Sequence, residues 1–380
     1  MITVGFLASG FIGRRASGTA QTSRKLVIDL LRYHSDSIRV VLFCKTQEEK
    51  QLATNEIELS GAELEVFPPV WGSFLKSSRQ FYKYCFSSKN RKVDILHFSV
   101  PRVYPFYWKF PARHFVCTFH AAGDITVKQE KFVISKNIYN LIMKLSWKRL
   151  EGIYSDSDFA QKEIAYAYKI PQSIIKKIYL GADELMSHAL QPMRLPKKKL
   201  IVVVGRWQQY KNLHTVLDAI RVNGYNLGQS FHVFLIGKSQ QMGLNLVKYA
   251  VELFDTDKLT VIDYLDYGQL RFLYQNASVV VHPSINEGFG LPAFEAFIEG
   301  SPLLVHLGTP ASDELGAEKG VWSANMLDTN QVFNCLREIL NANAVIDLQE
   351  RHSLMLDRKM TWRDMTKLYV EEYNAIVFND

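Results

Sequence analysis

Two glutamates, Glu287 and Glu295, stand eight positions apart in the run NEGFGLPAFEAFIEGSP, Asn286 to Pro302. The preceding SVVVHPS, Ser278 to Ser284, is rich in β-branched residues and reads as a buried strand. Pro292 suits the first turn of a helix, and Gly300 with Pro302 suits its stop. Glu287 therefore falls in a strand-to-helix loop and Glu295 in or near the first helical turn. Helical side chains lean towards their N-terminus, so both carboxylates can face one crevice. The backbone N–H groups of Gly288, Phe289, Gly290 and Leu291 line the same crevice. Carboxylates accept hydrogen bonds from hydroxyls, while backbone donors and the helix dipole favour an anion. A sugar phosphate satisfies both.

Other residues could share that chemistry. VGRWQQYKN places Arg206 and Lys211 just after a strand, where two cations can neutralise a departing diphosphate without a metal. Composition alone would favour a solvated loop pair. CTFHAAGD places His120 at a strand end, a position more often filled by a structural hydrogen bonder. LASGFIGRRASGTAQTSRK has glycines at 10, 13 and 18, which misses the GxGxxG spacing. The second strand ends at Lys45 without a ribose-binding acid, so NAD binding is not expected. Asp156-Ser157-Asp158 has the spacing of a metal-binding DxD. It follows GIYS and precedes FAQKEIAYAY, so Asp158 reads instead as a helix N-cap, and no metal is expected.

The elements that must position these residues follow from the patterning. A chain of 380 residues exceeds one ordinary core and predicts two domains. Nine β-branched runs, from ITVGFLA to SVVVHPS, alternate with helical stretches such as TSRKLVIDLLRYH and NLHTVLDAIRV. That alternation argues parallel sheets covered by helices on both faces. The segment PQSIIKKIYLGADELMSHALQPMRLPKKKL separates two groups of strands, with the boundary near Gly181–Asp183. MTWRDMTKLYVEEYNAIV closes the sequence as an amphipathic helix. Four scattered cysteines, Cys44, Cys85, Cys117 and Cys335, form no CxxC pair and read as reduced thiols. With no apolar run long enough to span a bilayer and no signal-peptide pattern, a cytoplasmic protein is expected. The net charge of +7 is uneven, since residues 76–150 carry 15 basic and 3 acidic groups. That excess is a footprint for an anionic membrane surface or acceptor; no nucleic-acid recognition module accompanies it.

The segment from Asn286 to Pro302 resembles the Glu-x7-Glu signature of retaining GT-B glycosyltransferases, particularly the bacterial sugar-nucleotide transferases often called family 4. VGRWQQYKN is similar to that family's GRxxxxK pattern, and CTFHAAGD resembles its strand-end histidine. VIDYLDYGQLRFLYQNAS resembles the segment whose backbone frames the nucleobase, around Tyr264 and Leu265. TPASDELGAE is similar to the loop that closes this half of the fold. Ser17, Gly18 and Thr19 match the family's first loop only loosely, because paired glycines are frequent there. The matches run in family order across residues 118–325.

The resemblance implies an α/β protein of GT-B architecture, two Rossmann-like doubly wound parallel-sheet domains facing across a cleft. An acceptor-binding domain is expected over residues 1–182 and a nucleotide-sugar-binding domain over 183–358. A C-terminal helix, 359–380, is expected to cross back to the first domain. The implied reaction is retaining transfer of a hexose-type sugar from a UDP- or GDP-linked donor. The acceptor would be a glycan or lipid-linked saccharide in bacterial surface polysaccharide synthesis. His120 and Glu287 would contact the reacting sugar, Arg206 and Lys211 the diphosphate, and Glu295 the ribose. Gly288, Phe289, Gly290, Leu291, Tyr264 and Leu265 would complete the donor site, and Ser17, Gly18 and Thr19 would approach phosphate or acceptor. No cofactor or metal is implied; the nucleotide sugar is a substrate. The implied location is cytoplasmic, at the inner face of the membrane. A non-catalytic GT-B scaffold and a nucleotide-sugar epimerase on the same fold stay open as alternatives.

Overall fold

The computed structural model describes residues 1–7, 18–44, 46–66, 74–86, 92–101, 103–120, 134–205, 209–223, 230–237, 248–255, 257–342 and 346–378. They form two compact units, Met1–Leu180 with Trp362–Asp380, and Gly181–Thr361. In the first, β1 (Ile2–Leu7), β2 (Ile38–Cys44), β3 (Glu63–Val66), β4 (Val93–Phe98), β5 (Ala112–Phe119), β6 (Gly152–Ser155) and β7 (Ile175–Lys177) build one parallel sheet. Its order is β3-β2-β1-β4-β5-β6-β7. Central strands of such a sheet are covered on both faces, which is why Val40 to Cys44 and His114 to Phe119 are buried without alternation.

The second unit repeats the plan with β8 (Lys199–Val204), β9 (Phe231–Ile236), β10 (Leu259–Ile262), β11 (Val279–His282), β12 (Leu303–His306) and β13 (Val321–Ala324). The order is β10-β9-β8-β11-β12-β13. From β8 the chain winds towards β9, and from β11 it winds towards β12, so the direction reverses between these neighbours. Val279 pairs with Ile201 and Val281 with Val203, which brings the carboxyl ends of β8 and β11 level. Loops leaving that switch point diverge and open a crevice where ligands of such sheets bind.

All nine expected strands are present. β3, β7, β12 and β13, each of three or four residues, were not expected. Ile175–Lys177 lies inside the segment read as separating the strand groups, yet it is an edge strand of the first sheet. Its single buried residue, Ile175, leaves too short a pattern to register as a strand. The helix Asp158–Tyr168 also corrects a reading. Its N-cap is Ser157, whose hydroxyl accepts from Ala160 N at 3.0 Å, whereas Asp158 is the first helical residue and pairs with Lys177 at 2.7 Å. Both types suit the cap; the extended backbone of Ser157 decides between them.

The helix Trp362–Phe378 packs in the first unit, against the helix Gly18–Tyr33 and β1. Its Tyr369 and Tyr373 are buried with hydrogen-bonded hydroxyls. Among the described residues, no helix is long and apolar enough to cross a membrane.

Candidate active site

Lys211 and Glu287 come from the two loops that diverge at the switch point of the second sheet. Lys211 ends the turn Gln209–Lys211 that follows β8, and Ile285 N donates to Tyr210 O at 2.9 Å to tie the two loops together. The Lys211 Nζ donates to Glu287 Oε1 in a close ion pair, both side chains being largely buried. Burial by itself would push the Glu287 carboxyl up. Lys211 outweighs it and, with His282, holds that carboxyl down at about 2. Glu287 is therefore an anion across the physiological range, able to accept hydrogen bonds but not to supply a proton.

His282, the last residue of β11, lies beneath this pair. Its Nε2 is 3.4 Å from Glu287 Oε1, and among the described residues the buried ring nitrogens make no hydrogen bond. Next comes Gly290, which caps the helix Leu291–Ile298 with φ +90°. A Cβ there would stand 3.3 Å from His282 Nε2, so the left-handed turn and the close approach both call for glycine. Phe289 stacks on Phe294 at 4.1 Å and pins the loop to the helix.

Glu295 is the fifth residue of that helix, with Pro292 second, and Gly300 follows its end at φ +82°. Burial first, then Glu184 and Glu299, push its carboxyl up to about 7. Glu299 is spent elsewhere, on Arg271 Nε at 3.0 Å and Gln275 Nε2 at 2.6 Å. The two spaced glutamates are thus electrostatic opposites, one a fixed anion and one a carboxylic acid near neutrality. Tyr264 is exposed and Leu265 buried, on the connection between β10 and the helix Tyr267–Asn276.

In the first unit His120 follows β5 and Asp156 follows β6. His120 Nδ1 lies 2.7 Å from Asp156 Oδ2. Burial opposes the imidazolium, but Asp156 and the Ser99 carbonyl outweigh it and raise His120 above its usual value. Gly18 and Thr19 begin the helix Gly18–Tyr33. Ser17 and Arg206 lie outside the described residues.

Lys211, Glu287, Gly288, Phe289, Gly290, Leu291 and Glu295 are thus gathered around one strand–helix junction of the second unit, while His120, Gly18 and Thr19 belong to the first. Sequence reasoning missed His282, Glu184 and Asp156 as site neighbours. His282 stood inside the run read only as a strand, and a strand's terminal residue facing a loop was the available signal.

Residues 191–351 match the family described as Glycosyl transferases group 1. The chain is 26% identical over 209 residues to the O-antigen chain mannosyltransferase RfbU of Salmonella typhimurium, covering 52% of this chain and 57% of that one. It is 24% identical over 216 residues to the GDP-mannose:cellobiosyl-diphosphopolyprenol alpha-mannosyltransferase of Xanthomonas campestris, covering 55% of each. The chain spans just over half the length of these curated relatives. Among solved structures, sucrose-phosphate synthase from Thermosynechococcus elongatus aligns with a TM-score of 0.72 at 16% identity, covering 100% of both chains. Residues 191–351 thus match the glycosyl transferases group 1, and the two parallel-sheet units have the GT-B glycosyltransferase fold.

Proposed function

We propose that this chain is a retaining glycosyltransferase that moves a hexose, mannose foremost, from a GDP- or UDP-linked donor to a saccharide or lipid-linked saccharide of a bacterial surface polysaccharide. The observation that carries this reading is the Lys211–Glu287 pair at the switch point of the second sheet, within the family match. The mannosyltransferases among the relatives support the choice of sugar.

In the reaction the bond from the anomeric carbon to the diphosphate oxygen breaks, and a bond to the acceptor oxygen forms. The acceptor's proton passes to the departing phosphate. Lys211 and Arg206 supply positive charge to that leaving group in place of a divalent cation. Glu287, fixed as an anion, accepts hydrogen bonds from the donor sugar's hydroxyls. Glu295, retaining its proton up to about 7, can both donate to and accept from the ribose hydroxyls. His120 contacts the reacting sugar.

A lipid-linked acceptor would be met at an anionic membrane face. The helix Ile134–Ser146 exposes Leu141 and Leu145, interleaved with exposed Lys144 and followed by exposed Lys148.

The test is transfer from GDP-mannose, GDP-fucose, UDP-glucose and UDP-galactose to a diphosphopolyprenol-linked oligosaccharide, with the new linkage read by NMR. A product of the donor's own anomeric configuration, formed equally well in EDTA and lost in Glu287→Gln, is expected. An inverted linkage, or activity restored only by magnesium after EDTA, overturns the mechanism. Donor turnover without acceptor and without hydrolysis would point to the epimerase instead.

A further inference from the structure

Two histidines in the first unit lie close together and are treated differently. His97, on β4, spends both ring nitrogens: Nδ1 on Tyr373 Oη at 2.6 Å and Nε2 on Thr118 Oγ1 at 2.8 Å. Burial, then the nearby His120, push it down to about 3, so it is a neutral structural bridge to the terminal helix. Among the described residues, His120 is hydrogen-bonded to a side chain at one ring nitrogen only, with the Ser99 carbonyl alongside the ring. Its Nδ1 meets Asp156 Oδ2 at 2.7 Å, whereas its Nε2 is buried without a hydrogen-bond partner among the described residues. Among the same residues Asp156 Oδ1 is buried and unpartnered as well.

The backbone sets up this contact. Phe119 pairs with Ser155 in the parallel β5–β6 ladder, so positions 120 and 156 leave the sheet side by side. A carboxylate can only accept, which obliges Nδ1 to carry the proton and leaves Nε2 as the facing atom. The frame around them is rigid. Thr118 Oγ1 is hydrogen-bonded to both His97 and Tyr369, and Asp156 is 2% exposed. A buried carboxylate held by a single imidazole is a costly way to fill space, and an orphaned ring nitrogen beside it costs more. The second cost is removed when a ligand oxygen meets Nε2.

We propose that Asp156 is a positioning residue: by holding Nδ1–H it fixes the tautomer and orientation of His120 so that Nε2 meets a hydroxyl of the bound substrate. This rests on the proposed glycosyl transfer, where the hydroxyl is the donor sugar's. Neutral, Nε2 accepts from that hydroxyl; protonated, it donates to the same oxygen. Among the described residues, the charged and titratable groups around the ring are Asp156 on β6's loop and His97 on β4, with the Ser99 carbonyl alongside and Tyr369 of the terminal helix facing Asp156.

The experiment is a histidine 15N NMR titration of the full chain, run beside steady-state transfer assays. Wild-type His120 should be the Nδ1–H tautomer and titrate above the ordinary histidine range. Asp156→Asn should bring its titration below that range, and Asp156→Glu should restore part of it. The same Asp156→Asn should lower kcat about 10–100-fold with the donor KM unchanged. An Nε2–H tautomer in the wild type, or an unmoved titration in Asp156→Asn, overturns the proposal. So does a shifted titration with unchanged kcat. Should Asp156→Asn fail to fold, the wild-type tautomer and the Asp156→Glu titration decide. Should the wild type transfer no sugar at all, the function proposed above fails, while the NMR arm still judges the coupling of Asp156 to His120.

Discussion

Lys211 and Glu287 illustrate why a buried pair is more than its attraction. Each charge is tolerated because the other is there. Lys211→Met should destabilise the protein by about 3 kcal/mol, since Glu287 is left buried without its counter-charge. Adding Glu287→Gln should recover much of that loss, a coupling that a double-mutant cycle of urea unfolding reads directly. Strictly additive effects would show that the pair is incidental. Lys211→Met should also weaken nucleoside-diphosphate binding by about 1.5–3 kcal/mol, measured calorimetrically. Glu295 has the opposite sign. Its folded value of about 7 exceeds the ordinary 4.5, so its contribution to stability is complete below 4.5 and lost as pH rises through 7. Glu287, held at about 2, contributes above 4.5 and loses that contribution as pH falls towards 2. Glu295→Gln should therefore remove a fall in stability of order 3 kcal/mol between pH 4.5 and 7. A variant and wild type with parallel stability–pH curves would disprove the burial argument.

The helix Leu291–Ile298 has only eight residues, so its position depends on what holds its ends. Gly290 shapes the first. At the other, Arg351 donates from Nη1 to Phe297 O at 2.6 Å and Ser301 O at 2.8 Å, and from Nη2 to Lys319 O at 3.0 Å. Its guanidinium also lies 4.2 Å from the Phe297 ring centroid. Adjacent His352 adds a contact to Ile298 O at 3.1 Å. Arg351 is thus a buried cation that satisfies the carbonyls at the end of the helix carrying Glu295, and burial lowers it to about 10. Arg351→Ala should cost about 3 kcal/mol in urea unfolding, because three carbonyls each lose a hydrogen bond from a buried cation. Arg351→Lys should fall in between, its single ammonium being unable to span three acceptors. Equal stability of Arg351→Ala and wild type would remove this account of how the helix is fixed.

At the scale of the molecule, charge is distributed by region. Residues 1–182 hold 27 basic and 15 acidic side chains, a net of +12, and the remainder holds 18 and 23, a net of −5. The helix Ile134–Ser146 lies within the basic region, burying Tyr139 and Met143 and exposing Leu141 and Leu145. Each lysine near an anionic lipid surface contributes about 1 kcal/mol. Vesicles containing anionic phospholipid should bind the protein at low salt and release it as salt rises. Lys144→Glu with Lys148→Glu should abolish that binding while leaving the melting temperature unchanged. Binding that ignores both salt and the two substitutions would rule out this surface as the contact.

The sequence by itself determined the class of architecture and the position of the reactive segment. β-Branched runs alternating with helical periodicity specify parallel sheets, and Glu287, Gly290, Pro292, Glu295 and Gly300 carry local turn, cap and helix information that survives without the rest of the chain. What lies within a few residues is legible because steric and capping preferences act over that range. The tertiary structure alone decided which strands are neighbours, and hence that β8 and β11 meet at the switch point with Lys211 beside Glu287. It alone separated the two glutamates electrically, because their charge states depend on burial and on Lys211, Glu184 and His282, distant or silent in the sequence pattern. Asp156 shows the same limit. Its spacing to Asp158 suggested only a metal-binding DxD, set aside because Asp158 read as a helix cap, whereas the β5–β6 register joined it to His120, thirty-six positions away. Charge and hydrogen bonding act through space, and only the folded sheet sets those distances.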